Sequence, residues 1–186
     1  MARKVTISEE MILNAALKML IRDGYSSINI KTLAKELNCS TQPIVWHFEN
    51  MEGLRKALDR YAREYANKSD MIIKDGVSAF ESLGKNYVKM AVNEPNLFKF
   101  LYLGESPYEI NTVFKEQENA KMAKMIADEL KLTKKQADNC IRDTFIYSHG
   151  LATLVATNVL KLSEKKMMEV IKDASACFLI KEKNNG

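Results

Sequence analysis

The segment Ser40-Thr41-Gln42-Pro43-Ile44-Val45-Trp46-His47-Phe48 decides how the N-terminal part of this 186-residue chain folds. Ile44 and Phe48 are four residues apart, the spacing that places two apolar side chains on one face of a helix. Pro43 lies in the first turn, where its missing N–H costs little, and Ser40 is a suitable N-cap. The pattern predicts a short helix over about residues 41–48 whose other face points outward.

Two further helices are predicted before this segment. A capping box at Thr6-x-x-Glu9 opens a helix over residues 6–24, and Gly24 ends it. Asn29 caps a helix over residues 30–37, which Asn38 can end in the left-handed conformation. Because only about three residues separate the second and third helices, the spacing is typical of a helix-turn-helix, whose last helix enters the major groove of DNA.

The outward side chains of this motif are suited to double-stranded DNA. Glutamine can pair with an adenine edge, threonine and proline can pack on thymine methyl groups, and tryptophan and histidine N–H groups can reach phosphates. The alternative is that Trp46 and His47 belong to a helical core, which we disfavour because the helix already has an inward pair. Arg3 and Lys4 could add a basic arm. The predicted DNA-binding residues are Lys31, Thr32, Ser40, Thr41, Gln42, Pro43, Val45, Trp46 and His47.

Helical periodicity continues through the rest of the chain. Asn50 caps a long helix, Thr133-x-x-Gln136 opens another that runs to about residue 161, and Ser163 caps the last helix. Residues 181–186 are expected to be a frayed tail. The sequence therefore predicts an all-α fold of about nine helices. We divide it into a three-helix helix-turn-helix domain over residues 1–50 and a larger helical regulatory and dimerisation domain over residues 51–186.

Composition and charge narrow the classes of function only moderately. The net charge of +4 is too small to indicate nucleic acid by itself. The chain has no signal peptide and no run of 18 apolar residues, so we expect a cytoplasmic protein without membrane contact. The widely spaced Cys39, Cys140 and Cys177 are expected to be free, mostly buried thiols.

Motifs of catalysis and cofactor binding are absent from the sequence. There is no G-x-S-x-G, no Gly-rich phosphate loop and no H-E-x-x-H, which disfavours an enzyme. With only two histidines and scattered cysteines, we expect neither a metal site nor a cofactor. A purely structural helical adaptor is the other rival, but it would not need an N-terminal module with helix-turn-helix spacing.

Many positions at fixed spacing resemble the DNA-binding domain of the TetR (tetracycline repressor) family. The resemblance implies a homodimeric transcriptional regulator, usually a repressor that a small-molecule effector releases from a semi-palindromic operator. A helical DNA-binding or adaptor protein without a small-molecule ligand is the alternative. Within residues 7–58 the matching positions are Ile12-Leu13-Asn14-Ala15-Ala16, Gly24-Tyr25, Ile30-x-x-Leu33-Ala34-x-x-Leu37, Ser40, Trp46-His47-Phe48 and Leu54.

Two positions depart from the family pattern. Val45 stands where most members have a tyrosine, and Met51 stands where many have a lysine. Because both family side chains hold phosphates, we expect DNA binding of modest affinity, or binding that depends more on Lys31, Arg55, Lys56 and the N-terminal arm.

The resemblance also implies that the last two helices, about 136–160 and 164–180, form a dimer bundle, with burial inside one subunit as the alternative. The predicted interface residues are Leu151, Leu154, Val155, Val159, Ile171 and Phe178. Aromatic and methionine side chains suggest a ligand pocket, although ordinary core is the alternative for each of them. We expect His149 in particular to be a hydrogen-bonded core histidine. The predicted pocket residues are Tyr87, Phe98, Tyr102, Phe114, Met122, Tyr147 and His149.

Overall fold

The computed structural model describes residues 7–67, 76–104 and 116–184. Within these ranges there are nine α-helices and no strand, which confirms the predicted all-α class. The helices are α1 (Glu9–Asp23), α2 (Ile30–Glu36), α3 (Gln42–Phe48), α4 (Met51–Asn67), α5 (Gly76–Asn93), α6 (Pro95–Tyr102), α7 (Glu116–Leu130), α8 (Lys134–Ala156) and α9 (Glu164–Asn184). None of the helices in the described part of the chain is long and apolar enough to cross a membrane.

The chain divides into two compact units. The first consists of Met1–Lys68 with Asn96–Tyr108, and the second of Ser69–Pro95 with Glu109–Gly186. The first unit thus contains the predicted helix-turn-helix domain of residues 1–50 and adds α4 and α6 to it. The assignment of residues 51–186 to regulation and dimerisation stays a prediction.

Several helix ends lie where the sequence predicts them. The Asn29 side chain accepts hydrogen bonds from the Lys31 and Thr32 amides at 3.0 Å, and Asn38 ends α2 with φ 50°. Thr133 and Gln136 form the expected capping box of α8. The start of α1 differs, since its N-cap is Ser8, whose hydroxyl accepts from the Met11 amide at 3.2 Å. The predicted Thr6 lies outside the described residues.

The end of α8 comes earlier than predicted, at Ala156 rather than near residue 161. Asn158 adopts φ 60°, and its amide donates to the Val155 carbonyl, while the Val159 amide donates to the Leu154 carbonyl at 2.9 Å. These two bonds form a Schellman motif, which satisfies the last carbonyls of the helix and reverses the chain. Val159 and Leu160 continue the apolar pattern past Asn158, which is why the periodicity predicted a longer helix.

The C-terminal tail is helical to Asn184, so the predicted fraying from residue 181 is wrong. Gln136 donates to the Glu182 carbonyl at 2.7 Å, and Asn139 donates to the Glu182 carboxylate at 3.0 Å. Lys181 pairs with Asp143 at 3.2 Å. These contacts hold the end of α9 against the start of α8, and sequence periodicity carries no record of them.

In the first unit, α1–α4 and α6 bury an apolar core that includes Ile12, Leu20, Leu33, Ile44, Leu58 and Phe98. Asn96 at the start of α6 donates to the Ile21 carbonyl at 3.2 Å, near the end of α1. Asp59 is fully buried in α4 and accepts from Arg63 at 2.9 Å. A buried carboxylate needs such a partner, because an unpaired charge in this environment is costly.

In the second unit, Ala123, Ile126, Ala127, Ala137 and Ile141 form a buried cluster where α7 packs on α8. Cys140 and Cys177 lie in this unit and both are free thiols, as is Cys39 in the first unit. Cys177 is exposed and the other two are half-buried, so the expectation of mostly buried thiols is wrong. Thiols in α8 and α9 can face outward because neither helix is enclosed on all sides within the subunit.

Candidate nucleic-acid interface

The helix α3 has one anchored face and one open face. Ile44 is fully buried and Phe48 is 6% exposed, which confirms the predicted inward pair. On the opposite face, Val45 is 43% exposed and Trp46 is 82% exposed. The alternative that Trp46 belongs to the core is therefore wrong. An indole with this exposure is unusual, since large apolar side chains are normally half-covered or more in a folded subunit.

The start of α3 differs from the prediction. The N-cap is Thr41 rather than Ser40, and it makes no side-chain capping hydrogen bond. Pro43 lies in the first turn, as predicted, and is half-buried, whereas Ser40, Thr41 and Gln42 are exposed. A hydroxyl that is not needed for capping can serve as a donor or acceptor toward a ligand.

At the start of α2, Lys31 is exposed, whereas the hydroxyl of the next residue, Thr32, forms hydrogen bonds within the protein. The Thr32 hydroxyl donates to the Ser27 carbonyl at 2.9 Å and accepts from the Asn29 amide at 2.9 Å. Both bonds belong to the local capping arrangement. The Thr32 hydroxyl thus stabilises the start of α2. Of the two α2 residues predicted to bind DNA, Lys31 is the one whose side chain is exposed.

The His47 side chain connects α3 to Ile7, which precedes the N-cap of α1. Its Nε2 donates to the Ile7 carbonyl at 3.1 Å, so the predicted hydrogen bond from His47 to a phosphate has an intramolecular competitor. The Ile7 backbone therefore lies beside α3. The predicted basic arm of Arg3 and Lys4 lies outside the described residues.

Two cations at the start of α4 have neighbours within the unit. The Arg55 guanidinium lies 5.5 Å from the ring centre of Tyr25, and Lys56 pairs with Glu52 at 3.6 Å. Both members of the lysine pair are more than half exposed, so solvent screens their attraction and it holds the side chain weakly. Lys56 can exchange this carboxylate for a phosphate at little cost.

A bidentate ion pair joins the end of α1 to the end of α2, the helix that precedes α3. Arg22 at the end of α1 donates to both Glu36 oxygens at the end of α2, each at 3.2 Å. The hydrogen bonds to Glu36 and to Asp23 raise the pKa of Arg22 above its already high value. The pair fixes the direction of α2, although its exposure keeps its contribution to stability small.

The geometry of α2, the turn at residues 37–41 and α3 has a counterpart in known proteins. Residues 12–58 match the family described as bacterial regulatory proteins, tetR family. This N-terminal segment is therefore similar to the corresponding domain of that family. The matched residues include α2 and α3, so the helix-turn-helix of the first unit lies within the part that resembles these regulators.

Weaker similarity to known proteins extends along nearly the whole length of the chain. The uncharacterized HTH-type transcriptional regulator YobS of Bacillus subtilis (strain 168) is 20% identical over 182 residues, which cover 96% of this chain and 94% of YobS. A crystal structure of a single-substitution TetR variant from Acinetobacter baumannii AYE in complex with minocycline has a TM-score of 0.60 at 17% identity, covering 97% of this chain and 98% of that one. BioQ of Mycobacterium smegmatis has a TM-score of 0.54 at 14% identity, covering 93% and 98%.

The second unit contains an aromatic cluster between α5 and α8. The Tyr87 hydroxyl and His149 Nδ1 form a hydrogen bond, and the Phe145 ring stacks on the His149 ring with centroids 5.8 Å apart. Burial lowers the pKa of His149 below its ordinary value. His149 is hydrogen-bonded, as predicted, but it is half-buried rather than part of the core. Phe145 is a member of the cluster that the sequence argument missed. Its spacing of four residues from His149 was the available signal.

The other predicted pocket residues do not join this cluster. Phe98 and Tyr102 belong to the first unit, where their rings lie 5.2 Å apart and burial raises the pKa of Tyr102. Tyr147 is 40% exposed and its ring meets Phe178 of α9 at 6.3 Å. Phe114 and the side chain of Met122 lie outside the described residues. A single pocket lined by all seven residues stays a prediction.

An apolar surface runs along α8 and continues onto α9, and we call it the outer face. Leu154 is 43% exposed, and Leu151 and Phe178 are half-buried. Val155 and Ile171, however, point into the subunit and are 9% and 6% exposed, so they cannot contribute to this surface. The helical phase places residues 151 and 154 outward when Ala152, Val155 and Ala156 face inward. The outer face consists of Ile146, Tyr147, Gly150, Leu151, Leu154 and Phe178.

Ile146 was missed by the sequence argument, although it is 55% exposed. Its register with Gly150 and Leu154, in steps of four residues, is the signal that could have identified it. Val159, which was predicted at the interface, is 73% exposed but lies after the end of α8. The predicted dimer helix therefore extends too far at its C-terminal end.

Proposed function

We propose that this regulator is a homodimeric repressor that reads a semi-palindromic operator with α3 and is released by a small-molecule effector. The observation that carries the DNA-reading part is the 82% exposure of Trp46 on a helix whose opposite face is anchored by Ile44 and Phe48. A short helix fixed on one side and open on the other has the geometry needed to enter a major groove.

The open face of α3 offers chemistry for both bases and backbone. Gln42 can form a bidentate pair with an adenine edge, and Val45 can pack on a thymine methyl group. Trp46 has one N–H donor for a phosphate and a broad apolar ring for a sugar or a methyl group. Lys31 and Lys56 supply charge for phosphates. Because Val45 replaces the tyrosine of the family pattern, apolar contact is expected to contribute more here than phosphate binding.

The outer face of α8 and α9 supports the homodimer. Ile146, Leu151 and Leu154 form a continuous apolar strip, and Gly150 between them allows a close approach by another helix. Exposed strips of this kind are typical of protein interfaces. A two-fold symmetric contact places the same strip against itself, which suits the uncharged side chains that form it.

The aromatic cluster supports an effector site in the second unit. Tyr87 and His149 supply polar groups, and Phe145 supplies a flat apolar surface, which together are the usual ingredients of a small-molecule site. The TetR variant of similar fold was crystallised with minocycline. An effector that favours a wider separation of the two DNA-reading heads, meaning the first unit of each subunit, would weaken operator binding. Useful switching needs a coupling free energy of about 1–3 kcal/mol between the effector and DNA sites.

The test begins with the duplex that the purified chain enriches from a random-sequence library. Fluorescence anisotropy then compares this duplex with a scrambled one at several salt concentrations. We expect a preference of roughly a thousandfold and one dimer per site. Equal, steeply salt-dependent binding to both duplexes would refute sequence-specific reading. A preference that no member of a broad small-molecule library weakens would favour the alternative, a DNA-binding protein without an effector.

A further inference from the structure

The turn between α3 and α4 brings two backbone segments unusually close together. α3 ends at Phe48 and α4 begins at Met51, so Glu49 and Asn50 alone make the connection. Glu49 adopts φ 62° and ψ −52°, and the Asn50 amide donates to the Phe48 carbonyl at 2.7 Å. A non-glycine residue in this conformation is strained and persists only where its surroundings hold it.

Gly53 is the residue that permits this arrangement. A Cβ atom added at Gly53 would lie 2.1 Å from the Phe48 carbonyl oxygen and 3.2 Å from the Phe48 carbonyl carbon. Ordinary van der Waals contact needs more than about 3 Å, and the obstructing atoms belong to the backbone, which has no rotamer that could move them aside. Any side chain at position 53 therefore forces the end of α3 and the start of α4 apart.

The displacement would reach the DNA-reading face directly. Phe48 is the last residue of α3, only two positions after Trp46 and three after Val45. On the other side, Asn50 accepts hydrogen bonds from the Glu52 and Gly53 amides at 2.9 and 3.0 Å, which holds the first turn of α4 in place. Because α4 is much the longer helix, the seven residues of α3 are the part more free to shift.

We propose that Gly53 is a positioning residue for DNA reading: by allowing the Phe48 carbonyl to rest on α4, it sets the angle at which α3 presents Val45 and Trp46. Readout of base edges tolerates little misplacement, whereas contacts between flexible lysines and phosphates tolerate more. The consequence of adding a methyl group is therefore a loss of sequence preference that exceeds any loss of general DNA affinity.

This inference rests on the proposed reading of DNA by α3, and the experiment separates the two. The Gly53→Ala chain is compared with the wild type by anisotropy, on the enriched duplex and on its scrambled counterpart. The affinity of Gly53→Ala for the enriched duplex is expected to fall roughly tenfold or more, while its affinity for the scrambled duplex stays within about twofold. An unchanged ratio of the two affinities overturns the inference. A wild type without preference refutes the proposed function instead.

Two control variants exclude a merely structural explanation. Gly84 also lies within a helix, but an added Cβ there meets no described atom within 4 Å, so Gly84→Ala keeps both affinities. Thr133→Ala removes the cap of α8 in the second unit without adding an atom, so it lowers the midpoint of thermal unfolding and keeps the affinity ratio. If Gly53→Ala does not fold, a crystal structure of the wild type decides: a Phe48 carbonyl more than about 3.4 Å from the ideal Cβ position of residue 53 overturns the inference.

Discussion

Trp46 is exposed and is proposed to contact DNA, so its replacement should affect DNA binding much more than folding stability. Replacing it by alanine removes little buried surface, so the free energy of unfolding is expected to change by less than about 0.5 kcal/mol. The affinity for the enriched duplex is expected to fall by about 1–2 kcal/mol, or roughly tenfold. Urea unfolding and anisotropy measure the two quantities on the same preparation.

The matched control for Trp46 is Tyr65→Ala, which removes an aromatic ring that is 42% exposed near the far end of α4. Its DNA affinity is expected to equal that of the wild type. Because Trp46 is the only tryptophan in the chain, its emission also reports directly on α3. Wild-type emission that stays constant under saturating enriched duplex would contradict the placement of Trp46 at the interface.

His149 makes the stability of the protein depend on pH. In the folded state, burial lowers the pKa of His149 below its ordinary value of 6.5. The unfolded chain therefore binds the proton more readily. The stabilisation from the neutral imidazole is therefore present above about pH 6.5 and is lost as the pH falls from there toward the lowered pKa. We expect the urea midpoint of the wild type to fall between about pH 7 and pH 5, and that of His149→Gln to fall less.

The comparison for this titration is His47→Gln, which replaces the other histidine of the chain, an exposed one. A His149→Gln chain whose midpoint fell as steeply as that of the wild type would show that groups other than the imidazole cause the acid sensitivity.

At the scale of the helices, the outer face of α8 and α9 decides the oligomeric state. Leu154 is 43% exposed, so Leu154→Glu can fold as a subunit without burying the new charge. In a symmetric contact, however, two glutamates would be desolvated near each other, which is strongly unfavourable. Sedimentation analysis is expected to give a dimer for the wild type and a monomer for Leu154→Glu.

The control for this variant is Asp138→Ala, at an exposed polar position of the same helix. It should remain a dimer. A dimeric Leu154→Glu chain would place the interface on another surface, and a wild-type monomer at micromolar concentration would refute the homodimer itself.

At the scale of the whole molecule, two reading heads in one dimer must match the helical repeat of DNA. Their α3 helices are expected to lie about 34–36 Å apart, one turn of the duplex, or a multiple of this distance. Insertion of about five base pairs at the centre of the enriched duplex turns one half-site to the opposite side. We expect binding to fall to the level of a single half-site, as measured by anisotropy. Undiminished affinity would mean that the heads bind independently.

Much of this architecture follows from local sequence rules. Asn29, Asn38, Asn50 and the Thr133–Gln136 pair lie at the helix ends that capping chemistry predicts, because these signals act over about four residues. The inward pair Ile44 and Phe48 follows from spacing alone. The all-α class and the helix-turn-helix could therefore be predicted from the sequence.

Other features depend on contacts between distant residues. Local patterns were enough to predict the all-α class, the position of the helix-turn-helix and the inward face of α3, since each depends on residues within one or two helical turns. Three other features could not be predicted in this way: α9 continues to Asn184, Val155 faces inward while Leu154 faces outward, and Gly53 lies against the Phe48 carbonyl. The physical reason is that hydrogen bonds to Glu182, helix packing and close backbone approach join segments whose proximity no local pattern records.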